Sequence, residues 1–245
     1  MPFTEHLEEL RSRLIKCLIA VLLGFAVCFA FAEAIFSALA APLFWNDISG
    51  VTLIGTGVAE AFFIELKVAL YAAVALALPV ILWQTWQFVA PGLYEHERSY
   101  ARQFVLFGTL FFLLGVWFCY EVIFRLVYVF FLGRYEALGV RPAIRIGEYL
   151  SFASNLLLAF GISFELPVAA WFFARIGLID HSFLIRHFRY AILLIFILAA
   201  ILTPPDVVSQ VLLAVPLTAL YGLGIGAAYI AGRKDRQQAE GSRQQ

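Results

Sequence analysis

The 245-residue chain is 63% hydrophobic and only 14% charged, with a mean hydropathy of +0.90. A soluble domain carries about 25% charged residues, so this composition excludes a water-soluble globule and describes a protein buried mostly by lipid and by helix–helix contact. Seventeen Lys and Arg balance seventeen Asp and Glu, and a net charge of zero gives no reason to expect a nucleic-acid partner.

The three cysteines, Cys17, Cys28 and Cys119, lie in apolar stretches at no metal-like spacing. They read as small core residues with no disulfide framework. The start, Thr4-Glu5-His6-Leu7-Glu8-Glu9-Leu10, is acidic, whereas a cleavable signal peptide starts basic. The first apolar span is therefore expected to stay as an anchor. Residues 3–14 predict a short amphipathic helix before the membrane, with Phe3, Leu7, Leu10 and Leu14 on one face. Its acids come first and its bases later, which suits the helix dipole. Glu9 and Arg13 stand four apart, at pairing distance on a helix.

Six apolar spans follow in order. The first runs from about Leu14 to Ala41 and stops at Pro42, with Trp45 marking the far interface. The second runs from about Ala59 to Val89 and contains Pro79. Glu60 and Lys67 share a face at its start and either pair with each other or leave Lys67 to snorkel to the headgroups. Trp83 and Trp86 suit an aromatic belt at its other end. A polar turn over 91–98 leads to the third span, about Tyr100 to Phe124, and residues 125–146 read as a long connection. The fourth span covers about Gly147 to Ile176. The fifth, about Tyr190 to Leu202, is short against the 17–25 residues usual for a crossing. The sixth runs from about Val207 to Ala231, and a basic, Gln-rich tail over 233–245 is expected to be disordered. No internal repeat is visible, which argues against inverted-repeat transporters.

The expected fold is all-α: a polytopic membrane protein of six transmembrane helices, with short fifth and sixth spans, forming a single domain over residues 1–232. Twelve Lys and Arg sit at the amino-terminal segment, the second and fourth loops and the tail, for example Arg11, Arg98, Arg186 and Arg233. Four, Arg125, Arg134, Arg141 and Arg145, sit in the third loop, and none in the first or fifth. The positive-inside rule then puts both termini in the cytoplasm. The arginine-rich third loop dissents, and the sequence matches it to no role.

Glu165 is the most expensive group in the chain. It lies in Phe160-Gly161-Ile162-Ser163-Phe164-Glu165-Leu166-Pro167, roughly 15 Å from the end of its span at 1.5 Å per residue. A carboxylate at that depth costs at least about 2.5–3.5 kcal/mol on insertion scales. Pro167 withdraws a helical hydrogen bond nearby. The pair reads as a polar notch for a function, or as an acid that only glues the bundle through a neighbouring hydroxyl. No metalloprotease, nucleophile-elbow or P-loop motif is present, and neither enzyme activity nor a cofactor is expected. The other notable acids are Glu5, Glu8, Glu9, Glu95 and Glu97, just before the first span and in the second loop. If the first three spans are neighbours, these acids converge into a patch suited to the planar fork of arginine. The alternative is local pairing with Arg11, Arg13, Arg98 and Arg102.

Beyond these readings, the chain resembles the TatC family, the multi-spanning subunit of the twin-arginine protein translocase. The resemblance rests on residues 4–14, on Pro42, and on Phe88-Val89-Ala90-Pro91-Gly92-Leu93-Tyr94-Glu95-His96-Glu97-Arg98. It rests also on residues 160–167 and on Thr203-Pro204-Pro205-Asp206-Val207-Val208-Ser209-Gln210. It implies a receptor for the twin-arginine signal peptides of folded cargo, in the bacterial inner membrane and driven by the proton gradient. Glu9 and Glu97 are implied as guanidinium acceptors, with Arg11 and Phe88 shaping the surface and Glu8 and Glu95 less directly involved. Glu165 is implied to meet a polar group on a single-span TatA or TatB partner. Pro42, Asp206 and Gln210 match outer turns of the family, and self-association in a complex is expected. The competing reading is a proton-coupled small-molecule transporter with Glu165 as proton carrier.

Overall fold

The computed structural model describes residues 3–45, 50–89, 101–203 and 206–241, and nearly all of them are helical. Helix α1 spans Phe3–Ala30 and α2 spans Ala32–Ala40, followed by a 3₁₀ turn over Ala41–Phe44. Strand β1 (Thr52–Ile54) precedes α3 (Glu60–Val89). Helix α4 (Ala101–Phe118), a π-helical turn (Cys119–Ile123) and α5 (Phe124–Ala137) form one continuous rod. Strand β2 (Ala143–Arg145) leads directly into α6 (Ile146–Arg175). Then come α7 (His181–Arg186), α8 (Phe188–Leu202) and α9 (Val207–Gly241).

Five helices are long and apolar enough to cross a membrane, and Ala32–Phe44 and Phe188–Leu202 are shorter apolar segments. Several expectations change. The amphipathic start is continuous with the first span, because no glycine or proline interrupts residues 3–23. That span then breaks at Phe31 instead of running unbroken to Ala41. The expected connection over 125–146 is helical as far as Ala137, since Phe124–Ala137 holds one glycine and no proline. The fifth span is short, at 15 residues, but the sixth is not, with an apolar stretch over Val207–Gly232. Helix also continues to Gly241, into the tail expected to be disordered. The chain divides into two compact units, Met1–Gly92 with Val116–Ala159, and Leu93–Gly115 with Phe160–Gln245.

In the first unit, α1 and α3 form an antiparallel hairpin. Arg13 meets Gln87 at one end and Cys28 packs on Ala69 and Ala73 toward the other. Gly24 lies midway, where an added Cβ would come within 3.3 Å of the Ala73 carbonyl. Small residues are what let membrane helices approach this closely. Farther along α3, Ile64 and Val68 bury against Leu150 of α6. Trp86 is buried, so of the two tryptophans expected in an aromatic belt only Trp83 is exposed.

Pro42 organises the far end of this unit. Without an N–H it cannot donate to the carbonyl of Ala38, four residues back. In lipid no water replaces that donor. The Tyr120 hydroxyl donates to the Ala38 carbonyl at 2.7 Å, and the Tyr149 hydroxyl donates to the Leu39 carbonyl at 2.7 Å. Trp45 stacks edge-on against Tyr120. Tyr120 lies in the π-helical turn, whose extra residue shifts the register of the rod around it. Beyond it, β1 and β2 pair in parallel, Leu53 opposite Ile144, a pairing the sequence did not suggest.

In the second unit, α4 and α6 are antiparallel and held close by two glycines. A Cβ on Gly115 would meet the Phe160 carbonyl at 2.7 Å, and one on Gly161 would meet the Phe112 ring at 2.6 Å. Gly224 of α9 sits against Ala170 of α6, and Ala228 and Ala231 pack on Ala174. The rising numbers on both helices make α6 and α9 parallel.

The hydroxyl of Tyr120 is replaceable in shape by phenylalanine but not in bonding. Tyr120→Phe should lower stability by about 0.5–1.5 kcal/mol, the net worth of one hydrogen bond. Thermal unfolding in detergent checks this, and an unchanged midpoint would show that the hydroxyl is not needed there.

Candidate functional site

The amino-terminal end of the α1–α3 hairpin carries the first candidate group. Glu9 and Arg13 lie one turn apart on α1 and pair as expected, the guanidinium donating through Nε and Nη2 to the same carboxylate oxygen, Oε1. Nη1 of Arg13 donates to Gln87 Oε1 on α3 at 2.7 Å. Both charged side chains are largely covered, Arg13 at 17% and Glu9 at 22% exposure. Glu9 is therefore fixed in direction, and its second oxygen accepts no hydrogen bond among the described residues. Phe88, next to Gln87 in the last turn of α3, is half-buried at the same end of the hairpin. Arg11 is exposed, two residues and about 200° around α1 from Glu9. Glu95 and Glu97 lie outside the described residues, as does the rest of the turn over 91–98. Arg13 and Gln87 were missed as site residues. The Glu9–Arg13 spacing signalled the first, but only packing of α1 on α3 reveals the second.

Glu165 lies on α6 in the second unit, between the close-packed Gly161 and Pro167. Its Oε1 is buried and has no hydrogen-bond partner among the described residues. The neighbouring Ile162 and Leu166 are exposed, at 62% and 45%. This carboxyl is thus covered by its own chain at Oε1 without being glued to a described hydroxyl, beside an exposed apolar face. One turn on, a cavity of about 320 Å³ is lined by Phe107, Phe111, Pro167, Val168, Trp171 and Ala227. The arrangement suits an apolar helix that brings one polar donor.

The remaining positions have local duties. Pro42 is buried in its 3₁₀ turn. Asp206 is the cap of α9: its Oδ1 accepts the Ser209 backbone N–H at 2.8 Å, and its Oδ2 accepts the Ser209 hydroxyl. Those two bonds from Ser209 hold the carboxyl below the usual aspartate range. Gln210 donates from Nε2 to the Phe196 carbonyl at 2.9 Å, tying α9 to α8. Three of the four dissenting arginines have described neighbours. The Arg125 guanidinium lies 5.6 Å from the Trp45 ring centre, and Arg141 runs alongside Gly50, whose φ of +92° suits glycine. Arg145 donates to Glu148 at 2.9 Å and to the Thr56 hydroxyl at 3.0 Å. These contacts brace loops, so the positive-inside count does not apply to them simply.

Long apolar helices, one of them carrying a proline and a partly buried acid, define a polytopic helical membrane protein. The family model for the Sec-independent protein translocase protein (TatC) matches residues 5–216. Among relatives, the Sec-independent protein translocase protein TatC of Desulforapulum autotrophicum is 44% identical over 240 residues, covering 98% of this chain and 88% of that protein. The one from Campylobacter jejuni is 46% identical over 223 residues, covering 90% of each. A crystal structure of the twin arginine translocase receptor TatC superposes with a TM-score of 0.83 at 38% identity, covering 92% of this chain and 99% of that one. The chain belongs to the TatC family. It is a multi-pass membrane protein of the bacterial twin-arginine system and a receptor subunit for export of folded proteins, not an enzyme. Family membership sets aside the small-molecule transporter.

The cap at Asp206 gives a pH-dependent expectation. Its folded-state pKa is depressed, so its stabilisation is present above the unfolded aspartate value and is lost as pH falls through the folded value. Asp206→Ala should cost about 1 kcal/mol at neutral pH. Asp206→Asn should keep most of the cap but flatten the acid-side dependence. Unfolding midpoints across pH 3–7 decide it, and equal curves for all three proteins would contradict the assignment.

Proposed function

We propose that the chain receives the twin-arginine signal peptide at the amino-terminal end of the α1–α3 hairpin, on Glu9 and Glu97, with Arg11 and Phe88 shaping the surface. The observation that carries this reading is the Glu9–Arg13–Gln87 network. Glu9 is already held in arginine-binding geometry by an arginine of its own chain. An incoming guanidinium either takes the open oxygen or displaces Arg13, and planar, charge-assisted pairing favours arginine over lysine. In this reading both termini face the cytoplasm of a bacterial inner membrane and the chain crosses six times, α8 being the short fifth crossing.

Glu165 is the second station. Its unmet oxygen and the exposed Ile162 and Leu166 beside it support a contact with a TatA-type or TatB-type single-span helix, or with the inserted signal peptide. The proton gradient supplies the energy, and several copies of the chain assemble in the working complex.

Charge reversal at Glu9 or Glu97 should lower crosslinking to a twin-arginine peptide by at least about tenfold, the scale of one lost charge-assisted contact. Unchanged crosslinking and export would overturn the docking site. Glu165→Ala should reduce copurification of the single-span partners and export together. Normal behaviour in both would return Glu165 to a packing role.

A further inference from the structure

Helices α7 and α8 meet at a bend at His187, and the winding continues helically through it. The His187 N–H donates to the Phe183 carbonyl, and the N–H groups of Tyr190 and Ala191 donate to the His187 carbonyl. The rings of Phe183, His187 and Tyr190 accordingly follow one another, with 4.2 and 6.1 Å between centres. Arg186 and Arg189, three residues apart across the same bend, are therefore neighbours on one face. Leu193 and Ile197 follow Arg189 at four-residue steps, so the face runs on along α8 as an apolar stripe. All four side chains are exposed, Leu193 at 58% and Ile197 at 47%.

Packing sets the depth of this stripe. Helix α6 has 30 residues, and a hydrocarbon core of about 30 Å centred on it ends near Ala170. Ala170 packs against Gly224 of α9. Tyr221, three residues deeper on α9, meets the ring of Phe188 with 5.9 Å between centres and donates to the Leu184 carbonyl at 3.0 Å. The bend thus lies at the boundary between headgroups and acyl chains. Arg186 stands level with the headgroups, and Arg189 is within snorkelling reach of them. Leu193 and Ile197 lie deeper, on the acyl side.

The charge at this boundary is positive. Residues 175–189 hold three arginines, Arg175, Arg186 and Arg189, against one acid, Asp180. Asp180 pairs with His181 at 2.6 Å. Neither Arg186 nor Arg189 has a hydrogen-bond or ion-pair partner among the described residues. Two guanidiniums above an apolar lane complement an anion that carries an oily tail. A water-soluble acidic peptide would leave Leu193 and Ile197 uncovered.

We propose that Arg186 and Arg189 hold the phosphate of an anionic phospholipid, with its acyl chains along Leu193 and Ile197. Guanidinium forks pair with phosphate oxygens two-pronged. The ligand chemistry is a phosphate ester, and free phosphate is the competing source.

Native mass spectrometry of the full chain, released from nanodiscs of mixed phosphatidylglycerol and phosphatidylcholine, tests this. Arg186→Gln and Arg189→Gln remove no described protein contact, and each should retain about fivefold less phosphatidylglycerol, the effect of one cation near an anionic headgroup. Arg134→Gln, at an exposed arginine outside the stripe, should retain it as the unaltered chain does. Retention by the Arg186 and Arg189 variants equal to that of the unaltered chain would overturn the proposal and leave the stripe to a protein partner. An equal loss in the Arg134 variant would overturn it as a general effect of charge. Displacement of the lipid by millimolar inorganic phosphate would overturn it too, identifying a site for a free anion.

Discussion

Lipid supplies no water, so a backbone carbonyl that loses its helical donor must find another inside the protein. The described helical segments contain Pro42, Pro79, Pro167 and Pro216, and each withdraws an N–H from the carbonyl four residues earlier. Pro42 shows how the fold responds. Its turn draws in Tyr120 and Tyr149 as hydroxyl donors. That requirement links α2 to the π-helical turn and to α6, and with them the far end of the first unit.

The same constraint marks which polar groups are already satisfied within the chain. Glu60, Asp206 and Gln210 bond to backbone groups, and Arg145 bonds to Glu148 and to the Thr56 hydroxyl. Glu9 retains an oxygen, and Glu165 has a buried one without a partner among the described residues, as do Gln84, Tyr128 and Ser154. Groups of this kind are costly in a membrane protein and persist where a ligand arrives to meet them. The first is reachable from a hairpin end, and the second only through the bilayer, which fits two successive encounters with an amphipathic signal and its partner helices.

Much of this was legible in the sequence, for physical reasons. Apolar runs of 20 or more residues determine the long helices almost alone, and the Glu9–Arg13 pair follows from i, i+4 spacing. Legibility failed where the deciding contact was tertiary. Residues 125–137 looked like a loop because of their arginines, yet Arg125 packs on Trp45 and the helix continues. Trp86 looked like a belt residue but is buried. Gln87 carried no signal until α1 packed against α3. Glu60 and Lys67 invited pairing by periodicity, whereas the backbone of a distant helix start claimed the carboxylate first.

In the proposed reading the pre-oriented Glu9 carboxylate selects arginine by its fork. The most direct measurement is the affinity of the purified protein for a precursor signal peptide with two arginines and for the same peptide with two lysines. Charge is unchanged in the exchange, so only the geometry of the guanidinium is tested. A dissociation constant at least about tenfold weaker for the lysine peptide, or about 1.4 kcal/mol, is the predicted result. Equal affinity for the two peptides would contradict the account.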